Sequence, residues 1–447
     1  MAAAGPVFPS VVGALRCQKD SYLRVFETEV VSCTEFIPPK SAQANGKHKA
    51  QKKANDPSKI FENGGSPDAK YWLLELADSV LFPEGGGQPT DHGSLTPVLA
   101  DVGESIQIRS VQRHGLRCIH FSPKPLEPGT TVRQDVDFHR RWDHMQQHTG
   151  QHLLSAVMDR VENLETLGWG MGAEGEMNYV ELPRKLSDEE IQEIQTRCNE
   201  VIRDNIPITV ETPQDTKAES LPEDYDKEKG VVRFIKIGDL DYNACCGTHL
   251  KQTSHVSVIL LHHTQTIRGT NCRLFFTCGD RAINMATASI DKMRLIAQSL
   301  SSGQKPAEVQ ASVGLLGDRL AESRKKTSNL LKEIAKYESD RIKAALGPGK
   351  TVFSHRATDG LDFINLVTFE LKEAIKGGGA VVLASGETKE PGSVMIIGET
   401  ELVEPLAVKA KETISTVKGG GKGEKWQGKV TEWQKGEVDA LRKLVVS

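Results

Sequence analysis

The segment Asp143-His144-Met145-Gln146-Gln147-His148-Thr149-Gly150-Gln151-His152 places histidines at intervals of four. On a helix, residues four apart lie one turn apart on one face, so His144 with His148, or His148 with His152, can grip one ion. Zinc proteases use the same His-x-x-x-His geometry. Their glutamate general base is absent, because Thr149 stands in its place, and a protease of that kind is disfavoured. Far downstream, Cys245-Cys246-Gly247-Thr248-His249 offers a thiolate and an imidazole around a glycine. That pattern suits a tight turn presenting two ligands. Two imidazoles from a helix with a thiolate and an imidazole from a loop make a tetrahedral N/S donor set, which favours zinc over magnesium or calcium. Either half alone reads more readily as ordinary buried histidine or thiol; the conjunction carries the metal reading. Spacing does not choose between His144 and His152, nor between Cys245 and Cys246.

The elements around these motifs follow from pattern. Residues 22–34, 71–81 and, more weakly, 105–110 are rich in β-branched and aromatic residues, and 132–138 alternates apolar with polar. Pro38-Pro39, Gly64-Gly65, Gly85-Gly86-Gly87 and Pro128-Gly129 punctuate them. Residues 1–140 are therefore expected to form a small β-barrel or sandwich. Within them, 39–70 holds seven lysines against three acids. It reads as a solvated insertion or, more sharply, as an arm that contacts RNA. Residues 141–285 read as α+β. A helix over 142–161 carries the histidines. A strand over 177–182 follows, then a helix opened by the capping box Ser187-Asp188-Glu189-Glu190, then strands over 231–237, 256–261 and 272–277. Residues 286–447 begin with long helices marked by Leu316, Leu320, Leu330, Ile334 and Tyr337. A small α/β unit follows, with strands at 351–354, 380–384 and 393–397 and helices at 363–375 and 404–417. The end is glycine-rich and basic around Lys418, Lys422 and Lys425, with nine basic residues against five acids over 409–443.

Composition bounds the function. The chain has 447 residues, 56 basic against 60 acidic, for a net charge of −4. Bulk charge cannot drive nucleic-acid binding, so any RNA contact must be confined to local basic patches. Aromatics are only 5%, which argues against base-stacking platforms. No apolar run reaches the 18 or so residues that span a bilayer. The start carries no basic leader region, and a cytoplasmic protein with reduced thiols is expected.

At these motifs the chain resembles a known family. Phe82-Pro83-Glu84-Gly85-Gly86-Gly87-Gln88-Pro89-Thr90-Asp91-His92-Gly93 resembles the signature opening the editing domain of alanyl-tRNA synthetases. His148-x-x-x-His152 and Cys245-Cys246-Gly247-Thr248-His249 resemble that domain's two metal motifs, in the same order. The class II synthetase core is not found ahead of them. The resemblance is thus to free-standing alanyl-tRNA editing proteins of the AlaX type, in their long form. Threonyl-tRNA synthetases carry a similar two-motif zinc domain, but the Gly-Gly-Gly-Gln-Pro-x-Asp signature points to the alanyl branch. Two departures stand out: the family usually has glycine where Cys246 stands, and 168–175 is unusually glycine-rich.

The resemblance implies a β-barrel-like first domain, a zinc-binding editing domain and a C-terminal domain for tRNA binding and oligomerisation. It implies Zn²⁺ on His148, His152, Cys245 and His249, with His144 a neighbour one turn away that either braces the ligands or faces the tRNA end. It implies hydrolysis of serine, and of glycine, from mischarged tRNA(Ala). Correct alanyl-tRNA must be spared, and a pocket that hydrogen-bonds the serine hydroxyl achieves this. Gln88 is the first candidate for that contact, with Thr90 and Thr248 behind it. Asp91 either touches substrate or holds its loop. Gly85, Gly86 and Gly87 would let backbone approach the terminal adenosine, and Lys418, Lys422 and Lys425 would meet the tRNA backbone. The alternative is a tRNA- or protein-binding module whose zinc is purely structural.

Overall fold

The structure, a computed structural model, describes residues 8–37, 70–98, 104–213 and 230–446. The lysine-rich stretch falls outside them except for Lys70. The chain divides into two compact units, Met1–Lys292 and Met293–Ser447.

After the short helix Arg16–Lys19, the described residues of the first unit form seven strands: β1 (Val25–Glu35), β2 (Trp72–Leu76), β3 (Gly93–Pro97), β4 (Ile106–Ile108), β5 (Val111–His114), β6 (Arg117–Ser122) and β7 (Thr131–Val136). They form one antiparallel sheet in the order β4-β3-β7-β1-β2-β6-β5. The two edge strands are consecutive in the chain, so the sheet curls into a nearly closed barrel. A register shift in β1 between Val30 and Ser32 supplies the extra bend such closure needs. Val30, Leu74, Leu95, Ile108, Val111 and Val132 are buried among its core residues.

The helix Phe138–Met158 follows at once. It begins four residues before the expected start because the Asp137 side chain accepts the Arg140 N–H and caps it. It packs on a four-stranded sheet of β8 (Gly168–Gly170), β9 (Asn178–Leu182), β13 (Ile259–Thr266) and β14 (Cys272–Cys278), ordered β13-β14-β9-β8. Leu153, Leu154 and Met158 meet Val180, Leu274 and Phe276 in one core. The helix Asp188–Arg203 joins this core through Ile194, Cys198, Val201 and Ile202. Its capping box is made in both directions, with Glu190 N–H to Ser187 Oγ at 3.2 Å and Ser187 N–H to Glu190 Oε2 at 2.8 Å. A smaller antiparallel sheet of β10 (Ile208–Glu211), β11 (Phe234–Ile237) and β12 (Asp241–Ala244) delivers the chain to Cys245. Helices against antiparallel sheets make this part α+β.

The second unit holds the 40-residue helix Pro306–Ala345 and a five-stranded sheet. Its strands are β15 (Thr351–Arg356), β16 (Ala380–Ser385), β17 (Gly392–Gly398), β18 (Val417–Lys422) and β19 (Lys425–Val430), ordered β15-β16-β17-β19-β18. Only β15 and β16 run parallel. Helices Gly360–Leu371, Thr400–Thr413 and Glu437–Val446 cover the sheet's two faces. The basic, glycine-rich run around Lys418 folds as the β18–β19 hairpin. No helix among the described residues is long and apolar enough to cross a membrane.

Candidate metal centre

His148 and His152 face the same side of the helix Phe138–Met158, and the turn after β12 carries Cys245 and His249 to them. The donor atoms of these four residues all lie within 4.8 Å of one another. His148 Nε2 and His249 Nε2 each stand 3.3 Å from Cys245 Sγ. Such edges are close to the roughly 3.5 Å expected of a tetrahedron built on metal–N and metal–S bonds of about 2.0–2.3 Å. The group can hold a metal ion.

Each imidazole is steered from its far side. His148 Nδ1 meets Gln88 Oε1 at 2.9 Å, His152 Nδ1 meets Asp241 Oδ2 at 3.0 Å, and His249 Nδ1 lies 3.4 Å from Thr149 Oγ1. Such partners fix a ligand's tautomer and turn the other nitrogen inward. The electrostatics agree. Burial pushes the Cys245 thiol up, but the His148 and His249 rings beside it prevail and hold it well below the usual thiol range. Burial lowers His249 to about 3, so its ring is neutral. Burial also works against a charge on His152, but Asp241 and Cys245 raise it to about 10. His152 thus favours its protonated form beside a Cys245 thiolate, and a metal bound there would displace that proton.

The glycine-rich signature forms a two-residue hairpin. Gly85 N–H and Gln88 O are 3.1 Å apart, as are Gln88 N–H and Gly85 O. Gly86 and Gly87 take φ of +61° and +81°, the type I′ requirement that only glycine meets without strain. Both also sit tight. A Cβ on Gly86 would lie 2.9 Å from Cys246 Sγ, and one on Gly87 would lie 2.7 Å from the Trp169 ring. The hairpin thereby presents Gln88, which is fully buried. Its Nε2 donates to Thr248 Oγ1 at 2.8 Å, and its Oε1 accepts from Thr248 N–H at 3.0 Å.

The other nominated residues divide. Thr248 is in the cluster's wall, buried against Gln88. Thr90 and Asp91 lie behind the hairpin. Thr90 Oγ1 accepts the Val111 N–H at 2.8 Å. Asp91 accepts the Phe82 N–H at 2.7 Å and forms a fully buried ion pair with Arg141. Both positions suit holding the loop rather than meeting a substrate. His144 is buried one turn before His148, its Nδ1 has no hydrogen-bond partner, and burial holds it neutral. Cys246 faces Gly86, and burial raises its thiol to about 12, which makes it a poor competitor of Cys245 for a metal. Lys418, Lys422 and Lys425 belong to the exposed hairpin of the second unit.

Asp241, Thr149, Arg141 and Trp169 were not anticipated as contributors. An aspartate four residues before Cys245 was the only local hint for Asp241. The others touch the site through contacts between distant parts of the chain.

Residues 232–275 match the family model described as the threonyl and alanyl tRNA synthetase second additional domain. The chain is 34% identical over 471 residues to the alaX alanyl-tRNA editing protein of Saccharomyces cerevisiae, covering 98% of this chain and 97% of that protein. It is 32% identical over 444 residues to an alanyl-tRNA editing protein of Rattus norvegicus, covering 97% and 98%. It is also 29% identical over 400 residues to the alanine–tRNA ligase of Thermococcus kodakarensis, covering 84% of this chain and 41% of the ligase.

Proposed function

The chain belongs to the alanyl-tRNA editing proteins, and from that premise we propose that it is a zinc-dependent, cytoplasmic hydrolase that removes serine, and glycine, from mischarged tRNA(Ala) in trans. The observation that carries the reading is the gathering of three imidazoles and a thiolate beside the Gly85–Gln88 hairpin. A borderline-soft N₃S donor set suits zinc above magnesium or calcium. Held by His148, His152, Cys245 and His249, zinc would position the ester beside a water.

The chain's own residues do the rest. Gln88 holds the His148 tautomer and the Thr248 hydroxyl in place. Asp241 does the same for His152. Thr248 Oγ1, the second N–H of Gln88 and the backbone of the glycine hairpin are the polar groups that a small hydroxylated acyl chain would meet. Alanine would leave the Thr248 hydroxyl proton and the second Gln88 N–H without a partner, which is the physical basis for sparing the correct product. Lys418, Lys422 and Lys425 would contact the tRNA backbone.

One observation favours a second reading. Four protein donors already complete a tetrahedron, as in structural zinc sites. A single assay separates the two. tRNA(Ala) charged with serine, glycine or alanine is incubated with the protein, and its metal is quantified in parallel. Rapid loss of serine with alanine retained is expected, with about one zinc per chain. Bound zinc without any deacylation would leave only the structural reading.

A further inference from the structure

Trp169 occupies the centre of the three-residue edge strand β8, between Gly168 and Gly170. Its ring centroid lies 4.8 Å from that of His148, with the planes tilted by 33°. Its edge abuts the glycine hairpin: a Cβ on Gly87 would stand 2.7 Å from both Cε2 and Cζ2 and 3.0 Å from Nε1. The indole therefore bridges the two parts that build the site, the hairpin between β2 and β3 and the four-stranded sheet beneath the helix. It is half-buried. Its backbone is fixed in the sheet. Trp169 pairs with Val180, and a Cβ on Gly170 would lie 2.5 Å from the Tyr179 ring. An indole with two side-chain torsions, lying against the His148 ring on one side and close to Gly87 along one edge, has fewer rotamers open to it than an aliphatic chain would.

We propose that Trp169 is the size-determining wall of the acyl pocket, admitting glycine and serine and excluding acyl groups with further branching. This inference rests on the editing reading above. An enzyme acting in trans takes its acylated tRNA from solution and must itself select the acyl group. The polar groups around Gln88 and Thr248 can favour serine over alanine, yet they offer no means of refusing a larger hydroxylated or aliphatic side chain. A rigid ring beside His148 does. The glycine at position 87 fits the same role, since any side chain there would displace the indole. Rejection of one methyl or methylene by a packed wall is worth roughly 10–200-fold in kcat/KM.

The test holds the tRNA constant and varies only the acyl group. Full-length protein and the variants Trp169→Phe and Trp169→Leu are assayed on tRNA(Ala) charged with serine, threonine or valine, with zinc content measured for each. The expected result is a threonyl-to-seryl ratio of kcat/KM that rises about 10-fold or more from Trp to Leu, with Phe between, at undiminished zinc. An unchanged ratio in both variants would overturn the proposal. So would loss of zinc with all esters slowing together, which would make Trp169 a mere prop for His148. Failure of the unmodified protein on the seryl ester is a separate result. It removes the editing reading itself, and this inference falls with it.

Discussion

The Oε1 of Gln88 receives His148 Nδ1 at 2.9 Å and the Thr248 N–H at 3.0 Å. Its two contacts tie the helix motif to the loop motif, so the residue positions His148, one of the four donors that could hold a metal. Replacing Gln88 with Ala is expected to weaken zinc binding by roughly 10–100-fold, the usual effect of removing an outer partner, as read by competition with a chelator. Cys245→Ala goes further: it removes the only thiolate of the cluster, and zinc content should fall to near zero together with seryl deacylation. Undiminished deacylation by a zinc-free Cys245→Ala protein would exclude the metal mechanism. Local spacing alone pointed to His148 with His144 or His152 and to His249 with Cys245 or Cys246, and the family resemblance rather than spacing chose His148, His152, Cys245 and His249. The orienting shell has no such spacing. Gln88 and Thr248 are 160 positions apart, and Asp241 is 89 from His152. No local pattern encodes contacts of that kind, and Trp169 was hidden in a glycine-rich stretch that resembles a loop.

Among the elements, the helix Phe138–Met158 is polar along the run that it buries most deeply. Its Gln147 explains how this is tolerated: Oε1 accepts from Asn178 Nδ2 at 2.8 Å and from Cys278 N–H at 3.0 Å, while Nε2 donates to Cys278 O at 3.0 Å. Buried polar groups that are fully paired carry little penalty. Arg141, on the same helix, is the costlier case. It is completely buried, pairs with Asp91, and donates to Val80 O at 2.6 Å and Ser21 O at 3.0 Å. Arg141→Met leaves the Asp91 carboxylate buried without its partner and is expected to destabilise the first unit by about 3–5 kcal/mol, seen as a lower thermal midpoint. Adding Asp91→Asn should restore part of that loss. The β6 residue His120 sets an acid limit. Burial lowers it to about 4 in the folded state, against about 6.5 unfolded. The unfolded chain then binds the extra proton between those values, so this contribution is intact above pH 6.5 and disappears as pH falls toward 4. Denaturant melts at pH 7 and pH 4.5 should differ by less in His120→Gln than in the parent. The strands with alternating or β-branched patterns, such as β7 and β14, were legible. β4 falls within the strand expected over 105–110, whereas β8 and β12, three and four residues long, were not expected as strands and are held by pairing with β9 and β11.

At the scale of the whole molecule, charge balance conceals where RNA can be met. The net charge is −4, yet the β18–β19 hairpin of the second unit presents Lys418, Lys422 and Lys425 to solvent on strands that are largely glycine and lysine. The sequence showed this basic, glycine-rich end but not its strands, since runs of glycine read as turns until a partner strand supplies the ladder. Here Gly419 pairs with Gly428 and Gly421 with Trp426, and a Cβ on Gly419 would lie 2.4 Å from Gln427 O. Small residues let the two strands lie close while the lysines point outward. If the hairpin contacts phosphates, binding should weaken linearly in log–log terms as salt rises, with each lost contact removing roughly 0.7–0.9 from the slope. The triple variant Lys418→Glu, Lys422→Glu, Lys425→Glu in the full chain should therefore bind tRNA(Ala) more weakly and with a shallower salt dependence. Deacylation should show the loss in KM, while kcat at saturating tRNA and zinc content stay near the parent values, because none of the three lysines contributes a donor to the cluster. A parental salt slope in the triple variant would rule this hairpin out as the tRNA contact.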